Sequence, residues 1–187
     1  MLAAGEMLSL EGPNGSGKTS LLRALAGFLE PVSGFVRIRT NWGGAIDDRE
    51  ERGSFIGWLG HQDGVKAQMT PLETLRFFAQ FPARDAGDAK ERRIADALAR
   101  ADLARVRDLP VQYLSAGQKR RLALARLDVM ERPLWLLDEP LAALDSAGKA
   151  LAADYIREHC RAGGLVVAAT HEPLGLEGKL LALGDAK

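Results

Sequence analysis

The string Gly12-Pro13-Asn14-Gly15-Ser16-Gly17-Lys18-Thr19 fits G-x-x-x-x-G-K-[ST] without departure. It follows an apolar run, Met7 to Glu11, and precedes a helix-forming stretch, LLRALAG, which is the context a phosphate-binding loop requires. Gly15 and Gly17 let the backbone turn tightly and aim its N–H groups inward. Those donors, with the helix N-terminus behind them, surround an anion. Lys18 adds positive charge for β- and γ-phosphates, Thr19 offers a hydroxyl to Mg²⁺, and Ser20 completes the first helical turn of the set. Far downstream, the apolar run Leu134 to Leu137 ends in Asp138 and Glu139. Alone this is weak, because many buried strands end in an acid. Downstream of a phosphate loop, Asp138 lies where a parallel strand's C-terminal end meets a ligand, and it can hold the Mg²⁺ shell. Glu139 is then placed to polarise an attacking water. Cleaving a phosphate anhydride is mostly positioning and charge stabilisation, so one carboxylate beside the water is base enough.

A second string, Leu114-Ser115-Ala116-Gly117-Gln118, has no clear use inside that site. By itself Ser-x-Gly-Gln is only a helix cap. The helix it opens nevertheless turns N–H groups and a positive end toward an anion, so it points to a paired subunit. It stands 23 residues before Asp138 (115 to 138). In that setting LSAGQ resembles the LSGGQ-type signature of ATP-binding cassette (ABC) ATPases, with Ala116 in place of the first glycine. The resemblance implies an α/β P-loop NTPase with a RecA-like parallel-sheet core and a helical subdomain, and ATP and Mg²⁺ as cofactors. It implies a homodimer in which the signature, Ser115, Ala116, Gly117 and Gln118, meets the γ-phosphate held by the opposite subunit, with Ser115 and Gly117 making the contacts.

The remaining family elements map position by position. Gln62, in GHQDG, resembles the Q-loop glutamine, which would touch Mg²⁺ or the water and sense a membrane partner; a turn glutamine is the plainer alternative. Thr19, Gln62 and Asp138 are therefore the implied metal set. LAALD resembles the D-loop, with Asp145 crossing the dimer interface. His171 follows VVAAT, 32 residues past Glu139 (139 to 171). It resembles the switch histidine that would bond the γ-phosphate and steady Glu139, so Glu139 and His171 form the implied catalytic pair. His61 and His159 match no role and read as structural.

The runs EGPNGSGKTSLLRALAG, GHQDGVKAQMTPLETLRFF, LSAGQKRRLALARL and ATHEPL together are similar to the ATPase subunits of bacterial cytochrome c maturation (haem exporter) complexes, over nearly the whole chain. That likeness implies integral membrane permease subunits as partners and haem as the cargo of the complex, not bound by this chain. It also implies a peripheral place on the cytoplasmic face of the bacterial inner membrane. Shared motifs leave another ABC importer or exporter open. A soluble non-transport ABC ATPase is remote, because there is one cassette, no heptad insert and no basic excess. A P-loop small-molecule kinase would not need LSAGQ, Gln62 or His171. One departure stands: eleven residues precede Gly12 and none is aromatic, while neither Phe28 nor Trp42 occupies the matching position for stacking on adenine. Weak nucleotide affinity is the expectation that follows.

These residues need a scaffold, and 187 residues suit one domain with a sizeable core. Lys and Arg number 25 and Asp and Glu 25, so there is no electrostatic footprint for nucleic acid. The pairs Arg92-Arg93 and Arg120-Arg121 read as solvated helix faces. A single cysteine, Cys160, allows no intrachain disulfide and fits a reducing compartment. No apolar run approaches the ~20 residues that cross a bilayer, and the first residues lack the features of a secretory signal. Strands are expected at Met7 to Glu11, Phe35 to Arg39, Phe55 to Leu59, Leu134 to Leu137, Leu165 to Ala169 and Leu180 to Leu183. Asn41 to Arg52 reads as a loop or hairpin tip. Thr70-Pro71-Leu72-Glu73 is a helix start with a capping box, and Pro82 ends that helix. Further helices are expected at Ala86 to Ala104, Gly117 to Met130 and Ala147 to Arg161. Strands alternating with helices favour a doubly wound parallel sheet, with the core at about 1–65 and 114–187 and the helical subdomain at about 66–113.

Overall fold

A computed structural model of the chain describes residues 1–39, 44–81 and 87–184. In chain order it contains β1 (Met7–Glu11), α1 (Lys18–Leu25), β2 (Ile38–Arg39), β3 (Ala45–Ile46), α2 (Arg49–Arg52), β4 (Ile56–Leu59), α3 (Pro71–Phe78) and α4 (Asp88–Arg100). Then come α5 (Ala116–Met130), β5 (Leu134–Asp138), α6 (Ser146–Arg161), β6 (Leu165–Ala169) and β7 (Lys179–Ala182), with two single 3-10 turns between α4 and α5. Five strands form one parallel sheet in the order β4-β5-β6-β1-β7. The C-terminal ends of β1, β5 and β6 therefore lie side by side, so the residues just after them share one edge.

Burial along β5 and β6 follows the strand period of two. Trp135, Leu137, Val166 and Ala168 face Leu124, Leu127, Tyr155 and Ile156 of α5 and α6. Leu136, Val167 and Ala169 face the other way, onto Leu22 of α1 and Ala26 at its C-terminal end. Apolar side chains on both faces make these strands continuous hydrophobic runs, as a covered parallel sheet demands. A third apolar cluster joins Leu75, Ile94, Leu98, Leu122, Ala125 and Val129. Helix α5 thus packs on the sheet with one side and on α3 and α4 with the other.

That double burial overturns one sequence expectation. Arg120 is not on a solvated helix face but 2% exposed, and Arg126 is 8% exposed. A helix enclosed on two sides leaves no solvated face there, and the guanidinium groups bond inward instead. Burial pushes the Arg126 guanidinium down to about 10, while it donates to Trp58 O at 2.6 Å and lies over the Phe78 ring.

Local start and stop signals behave as their chemistry requires. Thr70 and Glu73 form the reciprocal capping box at α3, with Pro71 in the first turn. Gly27 and Gly163 follow α1 and α6 at φ 83° and 88°, the left-handed region that glycine enters freely. Three elements differ from expectation. The FVRIR strand is reduced to Ile38–Arg39, paired among the described residues with β3. The described part of 41–52 contains β3 and one helical turn, α2, because Asp48 caps the N–H groups of Glu50 and Glu51. The helix expected over 86–104 ends at Arg100, since Asp102 turns to φ 53°. Trp42 and Pro82 lie outside the described residues.

Candidate functional site

The turn from β1 into α1 is shaped by its glycines. Gly15 and Gly17 take φ 84° and 94°, conformations that L side chains rarely adopt. At Gly12 a Cβ would meet Leu183 O and Ser16 Oγ, so only glycine fits beneath the loop. Gly17 stands at the N-cap of α1 with no side-chain cap, leaving the first-turn N–H groups to an anion. Lys18 is 7% exposed, and its ammonium donates to Gly12 O at 2.7 Å and Pro13 O at 3.0 Å, which holds the charge across the loop. Ser16 Oγ is buried without a hydrogen-bond partner among the described residues, an orphaned group inside the loop.

Around this loop the parallel strands deliver the acids. Asp138 ends β5, 6% exposed, and Thr19 Oγ1 lies 3.2 Å from its Oδ1 and 3.1 Å from its Oδ2. Glu139 follows at φ 51°, a left-handed backbone that turns its side chain away from the strand direction. Its N–H donates to Ala169 O at 2.8 Å, tying the turn to β6. From the end of β6, His171 Nε2 lies 3.3 Å from Glu139 Oε1, and the His171 N–H approaches Oε2 at 3.4 Å.

Asn14, Gly15, Gly17, Lys18, Thr19 and Ser20 share one cleft of about 870 Å³ with Gln62, Asp138, Glu139 and His171. Pro13 and Ser16 belong to the same turn. His61, read from the sequence as structural, and Phe28, set aside there as not at the adenine-stacking position, also line the cleft, as do Arg23 and Trp58, which the sequence did not single out. Phe28 meets Trp58 edge to face, with ring centroids 5.3 Å apart. No motif assigns them a role; the fold brings them to the wall.

The signature and Asp145 stand apart from that cleft. Ser115 caps α5: its Oγ accepts from Gln118 N–H at 3.2 Å while its own N–H donates to Gln118 Oε1 at 2.9 Å. Both side chains are committed to the capping box, and Ala116 opens the helix on the surface. Gly117 packs on the LAALD segment, where a Cβ would lie 3.2 Å from Ala143 O. Asp145 caps α6, accepting from Gly148 N–H at 2.8 Å.

A parallel sheet with a glycine-rich strand-to-helix turn, and acids at the end of the strand two places away, defines a P-loop nucleoside triphosphatase. The family model described as ABC transporter matches residues 1–142. The cytochrome c biogenesis ATP-binding export protein CcmA of Mesorhizobium japonicum is 46% identical over 185 residues, 99% of this chain and 88% of that protein. The protein of the same name from Brucella abortus is 43% identical, over 99% of this chain and 81% of its own length. Among solved structures, a dimeric ATP-binding cassette in a post-hydrolysis state, bound to ADP and Pi, matches with a TM-score of 0.83 at 27% identity. That match covers 98% of this chain and 83% of the other. The chain belongs to the ABC transporter family, as a CcmA-like, ATP-hydrolysing cassette.

Proposed function

We propose that two copies of this chain enclose two ATP molecules and that hydrolysis drives a membrane complex handling haem during cytochrome c maturation. The observation that carries the reading is a division within one protomer. The phosphate loop, Asp138, Glu139 and His171 converge on one cleft, while the capped N-terminus of α5 opens outside it. A helix N-terminus that stands outside its own chain's cleft can meet a second copy's phosphate.

Within a protomer, the residue roles follow from placement. The backbone of Gly12 to Thr19 and Ser20 cradles the phosphates, and Lys18 offsets their charge. Thr19 and Asp138 present hard oxygen donors side by side, which suits a magnesium ion, and Gln62 lines the same cleft. When bound, Mg²⁺ supplies charge neutralisation on the phosphate oxygens. Glu139 accepts the proton of the attacking water, and His171 fixes the carboxylate from the far side. Across the dimer, Ser115, Ala116, Gly117 and Gln118 face the partner's nucleotide, and Asp145 lies at the same seam.

We take residues of about 66–113 as the helical subdomain and about 1–65 with 114–187 as the core, supported by the separate apolar cluster of α3, α4 and α5. No helix among the described residues is long and apolar enough to cross a membrane. Membrane attachment then comes through permease subunits, at the cytoplasmic face of the inner membrane, with haem carried by the complex and no nucleic acid bound. The names of the CcmA relatives, which place them in cytochrome c biogenesis and export, support that setting for the complex.

Dilution tests the shared site. The ATPase rate per molecule should fall as the chain is diluted, and again as inactive Lys18→Ala copies are mixed in. A rate indifferent to both overturns the two-copy reading.

A further inference from the structure

Arg120 lies one turn into the helix that Ser115 caps, its side chain 3% exposed. All five of its N–H groups have acceptors. Nη1 donates to Gly60 O at 3.0 Å and to Asp63 Oδ1 at 2.9 Å. Nη2 donates to Asp138 O at 2.8 Å and to Glu139 O, and Nε reaches Pro140 O at 3.3 Å. Four acceptors are backbone carbonyls, and they come from two places only. One is the loop around Gln62; the other is the turn that carries Asp138 and Glu139.

An ion pair with Asp63 would account for one bond in this set. The other four bonds fall on segments that bear site residues. Glu139 is the telling one. Its φ of 51° is a conformation that non-glycine residues hold only when the surroundings over-determine it. Ala169 O takes its N–H, and Arg120 takes its carbonyl. The strained turn is therefore held from both sides, and one of the two holds comes from the signature helix.

We propose that Arg120 is a positioning residue for hydrolysis. It fixes the left-handed turn of Glu139, and so the reach of that carboxylate into the cleft. It also ties the turn to the Gln62 loop and to the helix whose first residues meet the partner's nucleotide. Movement of α5 on dimer closure is transmitted through one planar group to both walls of the cleft. Lysine cannot replace it, because three donors on a single nitrogen cannot span carbonyls from two segments. This proposal rests on Glu139 as the group that polarises water.

The test uses Arg120→Lys and Arg120→Gln in the full chain, with ATP hydrolysis, equilibrium binding of a fluorescent ATP analogue and thermal melting measured on each. The expected result is a kcat lower by on the order of a hundredfold, the cost of displacing a reacting group by about 1 Å, with nucleotide binding at the wild-type level. In a Glu139→Gln background, Arg120→Lys should lower the residual rate no further, because residues that act as a unit are not additive. Should Arg120→Gln fail to fold, the lysine variant decides, since it keeps the charge opposite Asp63. Wild-type kcat in Arg120→Lys, a loss confined to nucleotide affinity, or additive losses in the double variant overturns the proposal alone. Wild-type turnover in Glu139→Gln itself overturns the assignment of the base, and the proposal with it.

Discussion

Glu139 and His171 are joined twice, although 32 positions separate them: Nε2 lies 3.3 Å from Oε1, and the His171 N–H lies 3.4 Å from Oε2. The parallel pairing of β5 with β6 creates this relationship, because it sets the two strand ends side by side. A carboxylate gripped by both a ring and an amide keeps one orientation toward the cleft. Glu139→Gln should retain nucleotide binding, lose turnover by about a hundred- to ten-thousandfold, and accumulate as a dimer with ATP. Single-turnover hydrolysis with size-exclusion chromatography reads all three.

His171→Ala removes the ring and leaves the amide contact, so Glu139 loses one of two anchors. The rate should fall by about a hundredfold through kcat, with KM little changed, if the contact matters in the transition state more than in the ground state. A rise in KM at unchanged kcat would instead mark His171 as a binding group only.

Thr19 Oγ1 sits within 3.2 Å of both Asp138 oxygens. Thr19→Ser keeps that hydroxyl and should retain near wild-type activity at saturating Mg²⁺. Thr19→Ala removes it and should raise the Mg²⁺ concentration needed for half-maximal activity by about tenfold or more, a shift of about 1.4 kcal/mol per decade. A magnesium titration of ATPase rate separates the two, and identical curves would remove Thr19 from the metal set.

Much of this site is legible in the chain because its elements announce themselves locally. The glycines at 15 and 17 must be left-handed, Thr70 and Glu73 cap each other within one turn, and the runs at 134–137 and 165–169 need cover on both faces. Arg120 was not legible. A charged residue in a helix reads as solvated until the helix is known to be enclosed on two sides, and that enclosure depends on α3 and α4 folding back across long sequence separations. Trp58 was missed, and Phe28 set aside, for the same reason, since the rings stand 30 positions apart in the chain and the fold brings them to 5.3 Å. Among the described residues FVRIR keeps two paired positions, Ile38 and Arg39, against the equally short β3.

Ser115→Arg places a long cation at the exposed start of α5 and removes the capping hydroxyl. Loss of the cap costs about 1 kcal/mol, a modest destabilisation shared by Ser115→Ala. Hydrolysis should stop only in the arginine variant, while its nucleotide affinity as a single protomer stays intact. Mixed with wild-type chains, it should still poison their rate; proportional dilution without poisoning would leave no shared site.

One group away from the cleft responds to acid. His159 stacks on Trp135, ring centroids 3.9 Å apart and 10° from parallel, and burial pushes its pKa down to about 4. In the unfolded chain it titrates near 6.5, so between those values the unfolded state binds more protons. Its contribution to stability is complete above about pH 6.5, declines as pH falls toward 4, and levels off below that. Some of the ring meets water, which trims the loss to about 2 kcal/mol. Urea titrations at several pH values should show this slope in the wild type and lose it in His159→Phe, which keeps a ring against Trp135 but cannot titrate. An equal slope in both would place the titration elsewhere.

Gly164 is the residue that makes room for that stack. A Cβ there would collide with the His159 ring, whose far face is already closed by Trp135. Gly163, the left-handed residue after α6, has open space around its own Cβ position, so the pair divides into a turn requirement and a packing requirement. Gly164→Ala should therefore destabilise the fold by about 1–3 kcal/mol through overpacking. In a His159→Ala background the same methyl group meets no ring, and its cost should fall close to zero. That difference is a coupling energy between neighbours, which a double-mutant cycle of urea midpoints measures directly. If the methyl costs as much without the imidazole as with it, the strain lies in the backbone of Gly164 and not in the stack.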